Sequence, residues 1–282
     1  ALTPIDDFNA FNIYDDLNAD QDFRATSINQ MLQNSLSKKP LEPLFGNVAK
    51  GDLCITFGRE KTGKSIFLTQ VAHCLTQGLP ILPDQPYQKD KLRIQYLDGE
   101  MSDLEWRSRY TSNKEQTDFF NFNSDRFFTV FEGERLKGKS RRTKLIALLN
   151  KMQLYFDRRP FDVLIIDNLG IYLEDETNTS EITDVLSRIN EFRKKNNLTV
   201  IVAHHITKLP GTEPITTDSM RGSGRISDYA GSFIALNTTL SGQGYIKLLR
   251  SRNSQGSGDQ VYPYKVAKDK NFTSLKFEST LV

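Results

Sequence analysis

Eight consecutive residues carry the plainest chemistry in the chain: Gly58, Arg59, Glu60, Lys61, Thr62, Gly63, Lys64 and Ser65. They fit G-x-x-x-x-G-K-[ST], a loop whose main-chain N–H groups wrap phosphate oxygens. Such a loop needs glycine for tight backbone turns, and it aims the N-terminus of the helix that follows, starting near Ile66, at an anion. Lys64 is the residue to reach the β- and γ-phosphates of a nucleotide such as ATP, and the Ser65 hydroxyl the one to ligate Mg²⁺.

A loop of this kind binds phosphate; hydrolysis needs side chains from neighbouring strand ends. Three ends offer them. Asp167 closes the apolar run Val163–Ile166 and suits a carboxylate that holds Mg²⁺. Glu100 follows Tyr96-Leu97-Asp98-Gly99 and could orient the attacking water, with Asp98 as its rival on the same loop. His205 ends a third run and could sense or bond the γ-phosphate; it could equally cap a helix.

The elements that must position these groups follow from apolar periodicity. Leu53–Phe57 reads as a buried strand, and Ile66, Leu68, Val71, Ala72 and Leu75 as one face of a helix ending at Gly78. Further strands are expected at Leu92–Leu97, Arg126–Phe131, Phe161–Ile166 and Leu198–Ala203. Helices are expected from Ser102 to about Arg109, over Leu145–Phe156 and over Ser180–Lys195. Strand and helix alternate, which is the pattern of an α/β fold with a mostly parallel central sheet flanked by helices. Runs at Ser232–Leu236, Tyr245–Leu249, Val261–Val266 and Ser274–Phe277, separated by Gly/Ser turns, read as antiparallel C-terminal strands. Residues 1–43 read as an N-terminal arm with a short helix over Thr26–Leu36 and a linker at Lys38–Pro43; residues 44–282 form the main domain.

Composition bounds the rest. The 282 residues, 38% hydrophobic and 26% charged, describe a globular protein. A net charge of +2 leaves any polyanion to be met by a local patch, for which Arg135–Lys144 is the candidate, although a solvated loop has the same look. Cys54 and Cys74 lack a metal-ligand spacing and suit buried thiols in a reducing cytoplasm. No stretch is long and apolar enough to span a bilayer, so no membrane partner is expected.

Several segments resemble the RecA-like ring helicases of the DnaB type. Glu100-Met101-Ser102, with Arg109 beyond, is similar to their E-M-S segment; Arg221-Gly222-Ser223-Gly224-Arg225-Ile226 is similar to R-x-S-G-x-I; Arg250-Ser251-Arg252-Asn253 is similar to K-x-R-N. His204-His205-Ile206-Thr207-Lys208 resembles the H-H-x-x-K segment of the compact plasmid replicative helicase type, RepA. The resemblance implies a RecA-like P-loop core, ATP and Mg²⁺ as cofactors, and Glu100 as catalytic base. It further implies a homo-oligomer, expected to be a hexameric ring, acting on single-stranded DNA. Arg252, with Arg250 beside it, is then the expected finger into a neighbouring subunit's nucleotide site. The plasmid type's finger position, near Gly231 here, holds no arginine, which turns the expectation to Arg252; Arg221 and Arg225 are rivals. The acidic stretch Leu173-Glu174-Asp175-Glu176 departs from the family's DNA-holding loop, since it would repel a phosphate backbone. A RecA-like regulatory ATPase that grips a protein partner is the competing class.

Overall fold

The computed structural model describes residues 27–36, 42–112, 118–131, 140–176, 178–206, 215–220, 226, 228–249 and 260–279. Chain contacts divide it into two units, residues 1–40 and 41–282. In the first, helix α1 (Ile28–Leu36) has no buried residue, and its apolar side chains Ile28, Met31, Leu32 and Leu36 are all exposed.

The second unit is organised by a nine-stranded sheet. In chain order its strands are β3 (Leu53–Gly58), β4 (Ile94–Asp98), β5 (Phe127–Phe131), β6 (Val163–Asp167) and β7 (Thr199–His205), then β8 (Ser232–Thr238), β9 (Gly244–Leu249), β10 (Gln260–Asp269) and β11 (Phe272–Phe277). Their spatial order is β11-β10-β9-β8-β3-β7-β6-β4-β5. The six strands from β8 to β5 pair in parallel, and β8 to β11 pair antiparallel. This is the α/β, RecA-like arrangement expected from the sequence, with a mostly parallel centre and antiparallel C-terminal strands. A separate hairpin joins β1 (Pro43–Phe45) to β2 (Val48–Ala49). Pro43 therefore opens a strand and does not close a linker. Its place at the start of an edge strand leaves its missing N–H without consequence.

The central strands are buried on both faces, so they read as unbroken apolar runs. Helix α2 (Lys64–Gln77) and the hairpin cover one face, with Phe67, Leu68, Val71 and Leu75 packed on Ile165, Ile201 and Ile234. Helices α4 (Arg141–Arg158) and α5 (Thr179–Asn196) cover the other, with Leu145, Ile182, Leu186 and Ile189 on Ile55, Leu164 and Val200. Between β4 and β5 runs the short helix α3 (Asp103–Arg109), started by a capping box. Glu105 N donates to the Ser102 hydroxyl at 3.3 Å, and Glu105 Oε2 accepts from Ser102 N at 2.8 Å.

At the sheet's end, β11 has one side free of strand neighbours. Gln70, on α2, covers it: Leu275 N donates to Gln70 Oε1 at 2.8 Å, and Gln70 Nε2 donates to Leu275 O at 3.3 Å. The open edge thus ends on a side-chain amide that mimics one residue of a further strand.

Candidate nucleotide site

The loop between β3 and α2 takes its shape from two glycines. At Gly58 a side chain would lie 2.1 Å from the Leu236 carbonyl oxygen of the adjacent strand, so only a hydrogen fits. Gly63 is the N-cap of α2 with φ of 84°, a left-handed conformation that glycine adopts without strain. No side chain caps this helix. Its first N–H groups are left for an anion, on the positive end of the helix dipole.

A cleft of about 420 Å³ opens over this N-terminus. Glu60, Lys61, Gly63, Lys64, Ser65 and Ile66 form its floor, and Glu100, Arg109, His205 and Val266 its walls. Arg59 and Thr62 frame the loop from behind. The Arg59 carbonyl accepts from the Thr62 hydroxyl at 2.8 Å and from Lys64 Nζ at 2.7 Å, and the Gly58 carbonyl accepts from Lys64 Nζ at 3.0 Å. Burial pushes the Lys64 ammonium below its ordinary value, while the carboxylates of Asp167, Glu100, Glu60 and Glu176 oppose that shift. Two carbonyls thus hold the ammonium where a phosphate would compete for it.

Asp167, 1% exposed at the end of β6, lies behind the cleft, hydrogen-bonded to Ser65 of its lining. Burial raises its carboxyl to about 6, against hydrogen bonds from Tyr96 and Ser65. The Tyr96 hydroxyl donates to Oδ2 at 2.7 Å. Ser65 and Asp167 are thereby brought together as an alcohol and a carboxylate, hard oxygen ligands suited to Mg²⁺.

Asp98 and Glu100 share a loop but face different tasks. Asp98 is 3% exposed and holds the loop's shape: its Oδ1 accepts from Glu100 N at 3.0 Å and Met101 N at 2.9 Å, and its Oδ2 accepts from Trp106 Nε1. Both its oxygens are thus engaged in the loop that presents Glu100. Glu100 lies on the cleft wall, and contact with His205 holds its carboxyl below the usual value against the effect of burial; Lys64 and Arg109 add to the lowering. His205 Nε2 stands 3.5 Å from Glu100 Oε1. Both are joined by Asn168, which sequence reasoning did not single out: its Nδ2 donates to Glu100 Oε1 and lies 3.0 Å from His205 Nε2.

Two orphaned atoms mark the walls. Arg109 Nη1 and His205 Nδ1 are buried with no hydrogen-bond partner among the described residues. Unsatisfied buried polar atoms of this kind are rare unless a ligand completes them. With the uncapped helix and the Ser65–Asp167 pair, they fit a nucleoside triphosphate and its metal. Arg252 and Arg250, the expected fingers, lie outside the described residues, as do Arg221, Arg225 and Arg135–Lys139. The acidic stretch after β6 is turned on itself: the main-chain N–H groups of Glu174 and Asp175 donate to the Glu181 carboxylate at 2.6 and 3.1 Å.

Fold and site together define a P-loop nucleoside triphosphatase with a RecA-like core. Residues 20–211, well over half of the chain, match the model of the AAA domain family AAA_25, and the protein belongs to that family of P-loop ATPases. No curated protein shows a significant match. Among solved structures, the chain is similar to the KaiC-like protein PH0186 of the hyperthermophilic archaeon Pyrococcus horikoshii OT3. The TM-score is 0.55, with 16% identity over 81% of this chain and 90% of that one. At that identity the likeness speaks for the fold. No helix among the described residues is long and apolar enough to cross a membrane.

Proposed function

We propose that this protein hydrolyses ATP with Mg²⁺ and couples the hydrolysis to movement along, or unwinding of, single-stranded DNA, as a homo-oligomeric ring of replicative-helicase type. The observation that carries this reading is the meeting of Glu100, Asn168 and His205 beside Lys64, which joins a carboxylate able to orient water to the end of a second strand, β7. Lys64 and the N–H groups at the start of α2 would bind the phosphates, and Ser65 and Asp167 would hold the metal, which supplies neutralisation of charge on the phosphoryl group. Glu100, kept ionised by its neighbours, would orient the attacking water and take its proton. Arg252 would reach a neighbouring subunit's site, since a head-to-tail contact closes into a ring.

A second reading, a nucleotide-switched regulator that grips a protein partner, is supported by the exposed acids Glu174 and Asp175 after β6, which disfavour a DNA backbone there. ATP turnover measured at low salt with and without single-stranded DNA separates the two. Stimulation by DNA supports the motor, and turnover unchanged by DNA supports the regulator. Mixing Arg252→Ala with Lys64→Ala subunits tests the ring. Each is expected to be inactive alone, and the mixture to recover partial turnover where an intact loop meets an intact arginine. A monomer at every protein concentration with ATP and Mg²⁺ in sedimentation, or no recovery on mixing, removes the ring.

A further inference from the structure

We infer that Asn168 is the positioning residue of this site, which aims the Glu100 carboxylate and ties it to the end of β7 through His205; the inference rests on the hydrolytic reading above. The placement follows from register. β6 lies between β4 and β7, with Asp98 opposite Asp167 on one side and Ile166 opposite Val202 on the other. Gly99 N donates to the Asp167 carbonyl at 2.9 Å, which holds the loop carrying Glu100 against the end of β6. The first residue past β6 therefore stands between the loop that carries Glu100 and the strand end that carries His205. That residue is Asn168, 2% exposed.

Its chemistry suits the position. An amide nitrogen only donates, and Asn168 Nδ2 gives a hydrogen to Glu100 Oε1 while lying 3.0 Å from His205 Nε2. One carboxylate oxygen is thus fixed, and Oε2 is left to accept from water. The other ring nitrogen of His205, Nδ1, is the orphaned buried atom noted above. A change that draws His205 away also releases the restraint on Glu100, so the state of the nucleotide and the position of β7 share one side chain. An aspartate of equal volume cannot do this, because it has no hydrogen to give to Glu100 and would repel it.

The test measures steady-state ATP turnover of the full chain for Asn168→Asp, Asn168→Ala, Glu100→Gln and the double variant Glu100→Gln/Asn168→Asp, with binding of a fluorescent non-hydrolysable ATP analogue alongside. Asn168→Asp and Asn168→Ala are expected to lower kcat about 10-fold or more, with KM for ATP and analogue affinity within about 3-fold of the parent. The double variant should be no slower than Glu100→Gln, because residues that act through one another are not additive. If Asn168→Ala fails to fold, Asn168→Asp decides. Parent kcat in Asn168→Asp, or losses that multiply in the double variant, overturn the inference while the hydrolytic reading stands. A parent that binds the analogue but shows no turnover removes that reading and this inference with it.

Discussion

The phenol of Tyr264, on β10, donates a hydrogen bond to the main-chain carbonyl of Thr62 inside the phosphate loop, across 202 residues of sequence. Tyr264 is 2% exposed, and its side chain also lies near Gly63 together with Leu275 and Val266. β10 therefore walls the cleft through Val266, and β11 packs against its loop through Leu275. Replacing Tyr264 by Phe keeps the ring and removes the bond, at a stability cost of about 1 kcal/mol. The expected result is a KM for ATP raised several-fold with kcat nearly unchanged, read by turnover kinetics and a thermal melt. Unchanged KM would assign the phenol to folding alone.

Glu100→Gln keeps the size of the proposed base and removes its charge. It should bind ATP like the parent and turn it over about 10²-fold more slowly, the scale of a lost general base. Asp98→Asn, by contrast, should disturb the loop that Asp98 organises, lowering thermal stability together with activity. Parent-rate turnover in Glu100→Gln would move the base elsewhere.

The proposed metal ligands give a separate expectation. Ser65→Ala and Asp167→Asn remove one oxygen ligand or one charge at a site where Ser65 and Asp167 already bond each other. Each should raise the Mg²⁺ concentration needed for half-maximal turnover by about 10-fold or more, with the fold retained. Loss of folding by either variant, followed by circular dichroism, would assign that residue to structure.

At the opposite end of β3, Asp52 accepts from the Ser232 hydroxyl at 2.9 Å and from Leu53 N at 2.8 Å. Burial raises its carboxyl above the ordinary value, outweighing these bonds and the charge of Arg193. The folded state therefore holds this proton more tightly than the unfolded chain does, so Asp52 makes stability fall as pH rises from the unfolded pKa through the folded one. Asp52→Asn, which cannot ionise, should gain stability relative to the parent over that rise. Chemical denaturation across the acid range checks it; a difference independent of pH would contradict the raised value.

The parts of the candidate site that depend on local spacing were legible in the chain. The phosphate loop, Asp167 at the end of an apolar strand, and the start of α3 at Ser102 all depend on neighbours a few positions away. What was not legible depends on partners far apart in sequence. Asn168 looks like any polar residue after a strand until the sheet order sets β4 and β7 on either side of it. Tyr264 reads as one more aromatic strand residue, and Asp98 and Glu100 differ only once Trp106 folds back onto one of them. The hairpin at Pro43–Phe45 was missed because proline signals a linker and an edge strand alike.

The amide of Gln70 on the open side of β11 bears on how copies of this chain can meet. A sheet edge with free N–H and C=O groups invites a second copy to add its own edge and continue without limit. Here the Leu275 groups already face a partner within the same molecule. Growth by strand addition would have to break two hydrogen bonds and lift β11 from α2 before any new one formed. Self-association by that route is obstructed at its first step, and β11 stays packed against the phosphate loop through Leu275.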